Sequence, residues 1–385
     1  MSKRVLLVDD DFNITQGFKR VVHGLPSEWK FQFVGSGLEA LRLMDEQPFD
    51  VIVSDMRMPG MNGAELLQIV MGKFPQVVRI IFSGYSDPAM VLRSIRPAHR
   101  FLAKPCATEN VIAAISQTLD ALDLVPDENL KKMAAGISDL PVSNYVYENL
   151  LRELEIYDSS LKKVGHLINR DIAIFALSLK LVSSEFLGLP QPIGIIQQVF
   201  ERIGLESIKK IVLDKNVLFM EENMALPEKF PLEVINKHSV SVAQLAAEIA
   251  GRAGADGDER TAAAIGGMLH DIGKIVLFGF PGLYQRITNY VAVQQCDLCE
   301  AERQILGTTH AELGACLLGL WGLPGNIVRA VAHHHCAPKK TANSLAGTAI
   351  QRAELLAETN NNLPLDGELL KLLDPKWFDL DRIVT

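Results

Sequence analysis

No uninterrupted apolar run in the 385-residue chain approaches the ~18 residues of a bilayer-spanning helix, so no segment is expected to enter a membrane. No secretory n-region and h-region is read at Met1: the apolar run after Lys3-Arg4 is only Val5 to Val8 and ends at Asp9. Cysteine is scarce: five residues at irregular spacing, which excludes a disulfide scaffold and points to a reducing cytoplasm. Cys296-Asp-Leu-Cys299 is a lone CxxC and reads as two helix positions three apart. Positive charge is in deficit, with a net charge of −8, so nucleic acid and anionic membrane are not expected partners. No helix-turn-helix pattern or basic stripe is present. Internal repeats and low-complexity tracts are missing, and Asn360-Asn361-Asn362 is too short to read as more than a loop. What remains is a hydrophobic content of 48%, enough for large cores in two or three domains.

Apolar runs that end in chemistry mark the N-terminal region. Phe49 and Val51 to Val53 form a buried-strand pattern that runs into Asp55, followed by Pro59-Gly60 and Asn62-Gly63 turns. Val5 to Val8 is a second such run and ends in Asp9-Asp10-Asp11. Carboxylates at the carboxyl ends of parallel strands sit where open α/β sheets place ligands. Gathered together they need a cation, and oxygen donors of this kind suit Mg²⁺. Phosphoryl transfer onto Asp55 is the chemistry that fits. Ile80 to Phe82 leads to Ser83, and Phe101 to Ala103 leads to Lys104-Pro105. A hydroxyl and an ammonium at these strand ends can bind phosphoryl oxygens.

The set Asp9, Asp10, Asp55, Ser83 and Lys104-Pro105 resembles the receiver domain of two-component response regulators, over residues 1–122. The resemblance implies a doubly wound parallel sheet of five strands and makes Asp55 the phosphoacceptor. It implies that Asp10, Asp55 and the Arg57 carbonyl hold Mg²⁺, with Asp9 assisting. It also makes Phe101 the switch aromatic and a sensor histidine kinase or phosphotransfer protein the partner. A flavodoxin-like fold with solvated acidic loops is the plainer alternative.

Residues 123–140 are polar and read as a linker with room for a short helix around Leu130, Met133 and Ala134. From 141 helical periodicity takes over. Tyr147, Leu150, Leu151 and Leu154 form a stripe, and Ile168 through Val182 read as one long helix. Another helix is expected over Ser207–Met220. The stretches Ile168–Ser184 and Phe200–Ile208 resemble the HD-related output domain family, HDOD, although Ile172 and Ser183 replace that family's usual proline and asparagine.

Six of the nine histidines fall between 238 and 335. Imidazoles with carboxylates suit Mn, Fe, Ni or Zn, and a metal so held can promote phosphoester hydrolysis. His270-Asp271 with the upstream His238 resembles the HD superfamily of metal-dependent phosphohydrolases. The block from His310-Ala-Glu-Leu-Gly through Trp321 and Pro324 to His334-His335 resembles HDOD specifically, and the resemblance covers 141–340, with 341–385 as a helical extension. It implies the ligands His238, His270, Asp271, His310, His334 and His335, with Lys274 nearby and Glu354 in the place of a final Asp. The Gly-Tyr-Pro element of cyclic di-GMP phosphodiesterases is missing, which argues against that substrate.

The sequence therefore leads to a cytoplasmic response regulator: an α/β receiver followed by an all-α HD-superfamily-like domain that signals through protein contacts. The output partner is left open, and a homodimer is compatible. A receiver-regulated phosphohydrolase acting on a nucleotide or phosphoester is the competing expectation.

Overall fold

The computed structural model describes residues 3–84, 96–138, 140–156, 160–182, 232–335 and 345–359. Strands β1 (Lys3–Val8), β2 (Trp29–Val34), β3 (Val51–Ser54), β4 (Val78–Ser83) and β5 (Arg100–Ala103) make one parallel sheet in the order β2-β1-β3-β4-β5. Every residue of β3 and β4 is buried, as expected for strands covered by helices on both faces. Edge strand β2 is only partly buried. Helices α1 (Phe12–Val22), α2 (Gly37–Glu46), α3 (Gly63–Lys73) and α4 (Thr108–Leu122) belong to this unit. Asp11, Ser36 and Asn62 cap the first three through their side chains. Helix α1 stops at Val22, and Leu25 follows in a turn in which its N–H donates to Val22 O at 3.1 Å. The strand order reverses between β1 and β3, so the carboxyl ends of these two strands open the crevice.

The linker does contain a helix, α5 (Glu128–Gly136), capped by Asp127. It is fastened to the sheet by Arg79, a fully buried residue of β4. The guanidinium donates to the carbonyls of Pro97 (2.6 Å), Val77 (2.9 Å) and, on α5, Ala135 (2.9 Å). His99 Nδ1 accepts from Arg79 N at 3.0 Å, so its Nε2–H donates to Ala135 O at 2.7 Å. Burial pushes Arg79 down to about 9. Burial, then the neighbouring Arg79 charge, holds His99 well below its usual value.

The helical unit begins with α6 (Asn144–Glu155), α7 (Leu161–Ile168) and α8 (Ile172–Val182). The single helix expected over Ile168–Val182 is in fact a junction of two. Asp171 is buried and starts the second helix: its carboxylate accepts from Ala173 N (3.0 Å), Ile174 N (2.9 Å) and Ser143 N (2.8 Å). The residue after it, Ile172, occupies the first turn, where a proline would also be tolerated. The helix expected over 207–220, the stretch 200–208 and Ser183 lie outside the described residues. Helices α9 (Leu232–Arg252), α10 (Gly257–Leu269), α11 (Ile272–Phe278), α12 (Pro281–Gln294), α13 (Leu298–Leu306), α14 (His310–Leu320), α15 (Gly325–Ala332) and α16 (Leu345–Thr359) follow. Asp297 caps α13, accepting from Glu300 N at 2.8 Å. Cys299 therefore lies in the first helical turn and Cys296 before the helix, not on one helix face together.

Gly257–Phe278 is apolar enough by composition to cross a membrane, with mean hydropathy 1.3, but 83% of its most apolar window is buried inside the protein. It is a core segment. Helix α14 packs along receiver helix α4: a Cβ at Gly319 would lie 2.4 Å from the Ala121 Cβ. Next to that contact, Lys180 Nζ sits 4.9 Å from the centroid of the buried Trp321 ring.

Candidate functional site

Two clusters of ionisable groups stand out, one in each unit. In the receiver crevice, Asp9 follows β1 and Asp55 follows β3, and both are buried. Lys104, just past β5, reaches both: its Nζ lies 2.6 Å from Asp9 Oδ2 and 2.6 Å from Asp55 Oδ1. The backbone N–H of Arg57 donates to Asp55 Oδ2 at 2.6 Å, and that of Asp11 to Asp9 Oδ1 at 3.0 Å. Burial raises the Asp9 carboxyl against the opposing Lys104 hydrogen bond. Burial works against the Lys104 charge, but Asp55 and Asp9 outweigh it and hold the ammonium above its ordinary value. Ser83 is buried at the end of β4, beside β5, and Phe101 is buried within β5. Asp10 is exposed at the rim.

The second cluster is built where helices end. Helix α10 stops at Leu269, His270 is its C-cap, and Asp271 is the residue before α11. The pair thus sits at a helix junction, where two adjacent side chains can face one point. Helix α9 supplies His238, the start of α14 supplies His310, the residues after α15 supply His334 and His335, and α16 supplies Glu354. The approach of α11 to α14 depends on Gly273, whose missing Cβ would lie 1.9 Å from His310 O.

Three imidazoles are fixed by their Nδ1 atoms. His270 Nδ1 lies 2.6 Å from Gly267 O, His334 Nδ1 2.7 Å from Val331 O, and His310 Nδ1 2.8 Å from Glu302 Oε2. Each Nδ1 faces an acceptor, so it carries the hydrogen; this turns the Nε2 lone pairs of His270 and His334 inward, while His310 Nε2 lies 3.4 Å from Asp271 Oδ1 and donates to it when the ring is charged. Outer partners orient metal-binding imidazoles in this way. His270 Nε2 is 3.2 Å from His238 Nε2, and His310 Nε2 is 3.1 Å from His335 Nε2. His334 Nε2 is buried with no hydrogen-bond partner. His270, Asp271, His334 and Glu354 each offer an atom within 4.8 Å of the others, as do Cys299, His310 and His335. Lys274 Nζ lies 2.8 Å from the Asp271 carboxylate. Every residue proposed from sequence for this site is therefore in it, Glu354 included. Glu302 was missed. It is buried on α13 and also accepts from His310 N at 2.8 Å. Its only trace in sequence is an acidic residue one short helix before His310.

Burial pushes His270 down to about 4 and His335 down to about 3, and holds His334 well below its usual value. His310 goes the other way: burial opposes its charge, but hydrogen bonds to Asp271 and Glu302 push it up to about 8. Asp271 is held well below the usual carboxylate range, because the charges of His270 and Lys274 outweigh its burial. These shifts predict the acid stability of chelator-treated protein. Between about 6.5 and 4 the unfolded chain binds the His270 proton that the folded chain refuses, so stability falls on acidification, by about 3 kcal/mol from His270 alone. The His310 contribution is full below about 6.5 and is lost as pH rises through about 8. Denaturant unfolding across this range should show a maximum near pH ~6.5. A stability that rises steadily from neutral pH down to ~4.5 would contradict it.

A family model described as HDOD domain matches residues 140–337, and one described as response regulator receiver domain matches residues 5–116. The hydrogenase transcriptional regulatory protein HoxA of Cupriavidus necator is 34% identical over 125 residues, which are 32% of this chain and 25% of HoxA. This chain thus spans only a quarter of that relative's length. The transcriptional regulatory protein UhpA of Salmonella typhimurium is 30% identical over 137 residues, 35% of this chain and 68% of UhpA. The crystal structure of the MmoQ response regulator from Methylococcus capsulatus aligns over 64% of this chain and 98% of its own, at 21% identity and a TM-score of 0.47. The HDOD match covers just over half of the residues and the receiver match about four-fifths of the preceding ones, so the chain belongs to the HDOD domain family and carries its HDOD domain behind a response regulator receiver domain.

Proposed function

We propose that the protein is a cytoplasmic regulator switched by phosphorylation of Asp55, with its HDOD domain as the output. The observation that carries this reading is the shared ammonium: Lys104 holds two strand-end carboxylates at once. In the transfer, an Asp55 carboxylate oxygen attacks the phosphorus of a phosphohistidine on a sensor kinase or phosphotransfer protein. The P–N bond breaks, and the imidazole leaves and takes up a proton. Lys104 then follows the new phosphoryl oxygens and Ser83 donates its hydroxyl to one of them. The donors here are all oxygens, a set that fits Mg²⁺; Asp9, Asp10, Asp55 and the Arg57 carbonyl would hold it. Bound there, Mg²⁺ supplies positive charge against the phosphoryl group.

Lys104 leads through residues 105–107 into α4, and α4 packs on α14, so a rearranged strand end has a short route to the output domain. Beryllofluoride, a phosphoryl mimic, should therefore change hydrogen exchange in Thr108–Leu122 and also in His310–Leu320. Exchange unchanged beyond Lys104 would leave two tethered but independent domains.

A second reading is favoured by the three Nδ1-anchored imidazoles. We infer that the histidine cluster holds a first-row transition metal and hydrolyses a phosphoester. The metal would supply Lewis acidity when bound. His238, His270, Asp271, His334 and Glu354 would hold it, while Lys274 keeps the Asp271 carboxylate ionised. Hydrolysis of a chromogenic phosphodiester with Mn²⁺, lost in His270→Ala, tests this reading. Cyclic di-GMP is not expected to be a substrate.

A further inference from the structure

The donors around the histidine cluster outnumber the roughly four to six positions of one ion. They also divide. His270, Asp271, His334 and Glu354 form a group of nitrogen and oxygen donors, and Cys299, His310 and His335 form another, with no residue in common. The second group differs in kind, because it contains sulfur. It also has its own outer support. His310 is fully buried at the start of α14, and Glu302, one helical turn after Cys299 on α13, takes its Nδ1–H at 2.8 Å. With Nδ1 committed, His310 presents Nε2 to His335 Nε2 at 3.1 Å and to Asp271 Oδ1 at 3.4 Å. Two imidazole nitrogens this close must share a proton or a cation. Two carboxylates stand between the groups: Asp271, near His270 Nε2 at 3.5 Å and His310 Nε2 at 3.4 Å, and Glu354, whose Oε1 lies 3.5 Å from His335 Nε2.

We propose that Cys299, His310 and His335 form a second metal subsite, selective for a thiophilic dication such as Zn²⁺, beside the nitrogen–oxygen subsite of His270 and Asp271. A thiolate and two imidazoles suit Zn²⁺ or Co²⁺ and disfavour Mg²⁺ and Mn²⁺. The fourth position is left to Asp271 or to water. Loading releases the thiol proton and the proton shared by His310 and His335 to solvent and leaves metal–sulfur and metal–nitrogen bonds, with no change in oxidation state. The CxxC spacing is incidental to this site: of that pair, Cys299 lies with the histidines and Cys296 precedes the helix.

The proposal rests on the reading that the histidine cluster binds metal, and the test separates the two. Chelator-stripped full-length protein is titrated with Co²⁺. Wild type should bind more than one equivalent and show near-ultraviolet thiolate-to-cobalt charge-transfer absorption. Cys299→Ser should lose that absorption and one equivalent of metal while keeping the visible bands of the remaining ion, and Cys296→Ser should behave as wild type. Cadmium NMR of the wild-type chain gives a sulfur-shifted resonance independently of any variant. Bound cobalt without charge-transfer absorption in wild type, or absorption that survives in Cys299→Ser, overturns the subsite and spares the metal reading. Failure to bind Co²⁺ at all overturns both.

Discussion

Incubated with acetyl phosphate and Mg²⁺, the Asp55→Asn protein is expected to incorporate no phosphoryl group, against stoichiometric acid-labile labelling of the wild type. The carboxamide removes the anionic nucleophile and one of the two carboxylates that hold Lys104 at 2.6 Å. Asp9 cannot substitute: it keeps the ammonium and the Asp11 N–H and is more deeply buried than Asp55. Asp10→Ala should weaken labelling without abolishing it, because the carboxylate lost is the exposed one at the rim. Lys104→Ala leaves Asp9 and Asp55 to repel each other across the crevice, so labelling should persist while the exchange response in α4 is lost. Undiminished label on Asp55→Asn would place the phosphoacceptor elsewhere.

The second large effect is on stability and comes from a single methyl group. Gly273→Ala puts a Cβ 1.9 Å from His310 O, 2.7 Å from His310 C and 2.9 Å from Gly314 N, all of them backbone atoms that cannot rotate away. Alanine in a helix gains up to ~1 kcal/mol over glycine, but overpacking of this kind costs about 1–3 kcal/mol or more. The clash should win, because α11 and α14 must separate before the methyl fits. Gly17→Ala in α1, where nothing lies within 4 Å of the added methyl, should instead stabilise by up to ~1 kcal/mol. Thermal unfolding of the two variants should shift in opposite directions. Equal shifts would mean that the close approach at Gly273 is easily relieved.

The receiver could be read from sequence because parallel strands buried on both faces leave continuous apolar runs, and each run ended at a residue with chemistry: Asp9, Asp55, Ser83 and Lys104. Ile168–Val182 read as one helix because its apolar spacing carries across the junction. The break comes from Asp171 bonding to Ser143 and to Asn236, 28 and 65 positions away, and neither distance leaves a local signal. Nothing local in the sequence marks Arg79 as buried, since its partner Ala135 O is brought to it only when α5 folds back. At the histidine cluster the residue types were visible but not their division, which depends on which helix end faces which. Glu302 and the placement of Cys299 follow from α13 lying against the start of α14.

Helix α14 has one end in each unit: His310 begins it, among the imidazoles, and Gly319 near its close lies against Ala121 of the receiver. At about 1.5 Å per residue it is a rod of roughly 16 Å. Any free energy that the crevice transmits to one end must also be transmitted the other way, since coupling between two binding equilibria is reciprocal. If Asp55 is phosphorylated and the histidine cluster binds metal as proposed, occupancy of the cluster should shift the phosphorylation equilibrium of Asp55 by the same factor by which phosphorylation shifts metal affinity.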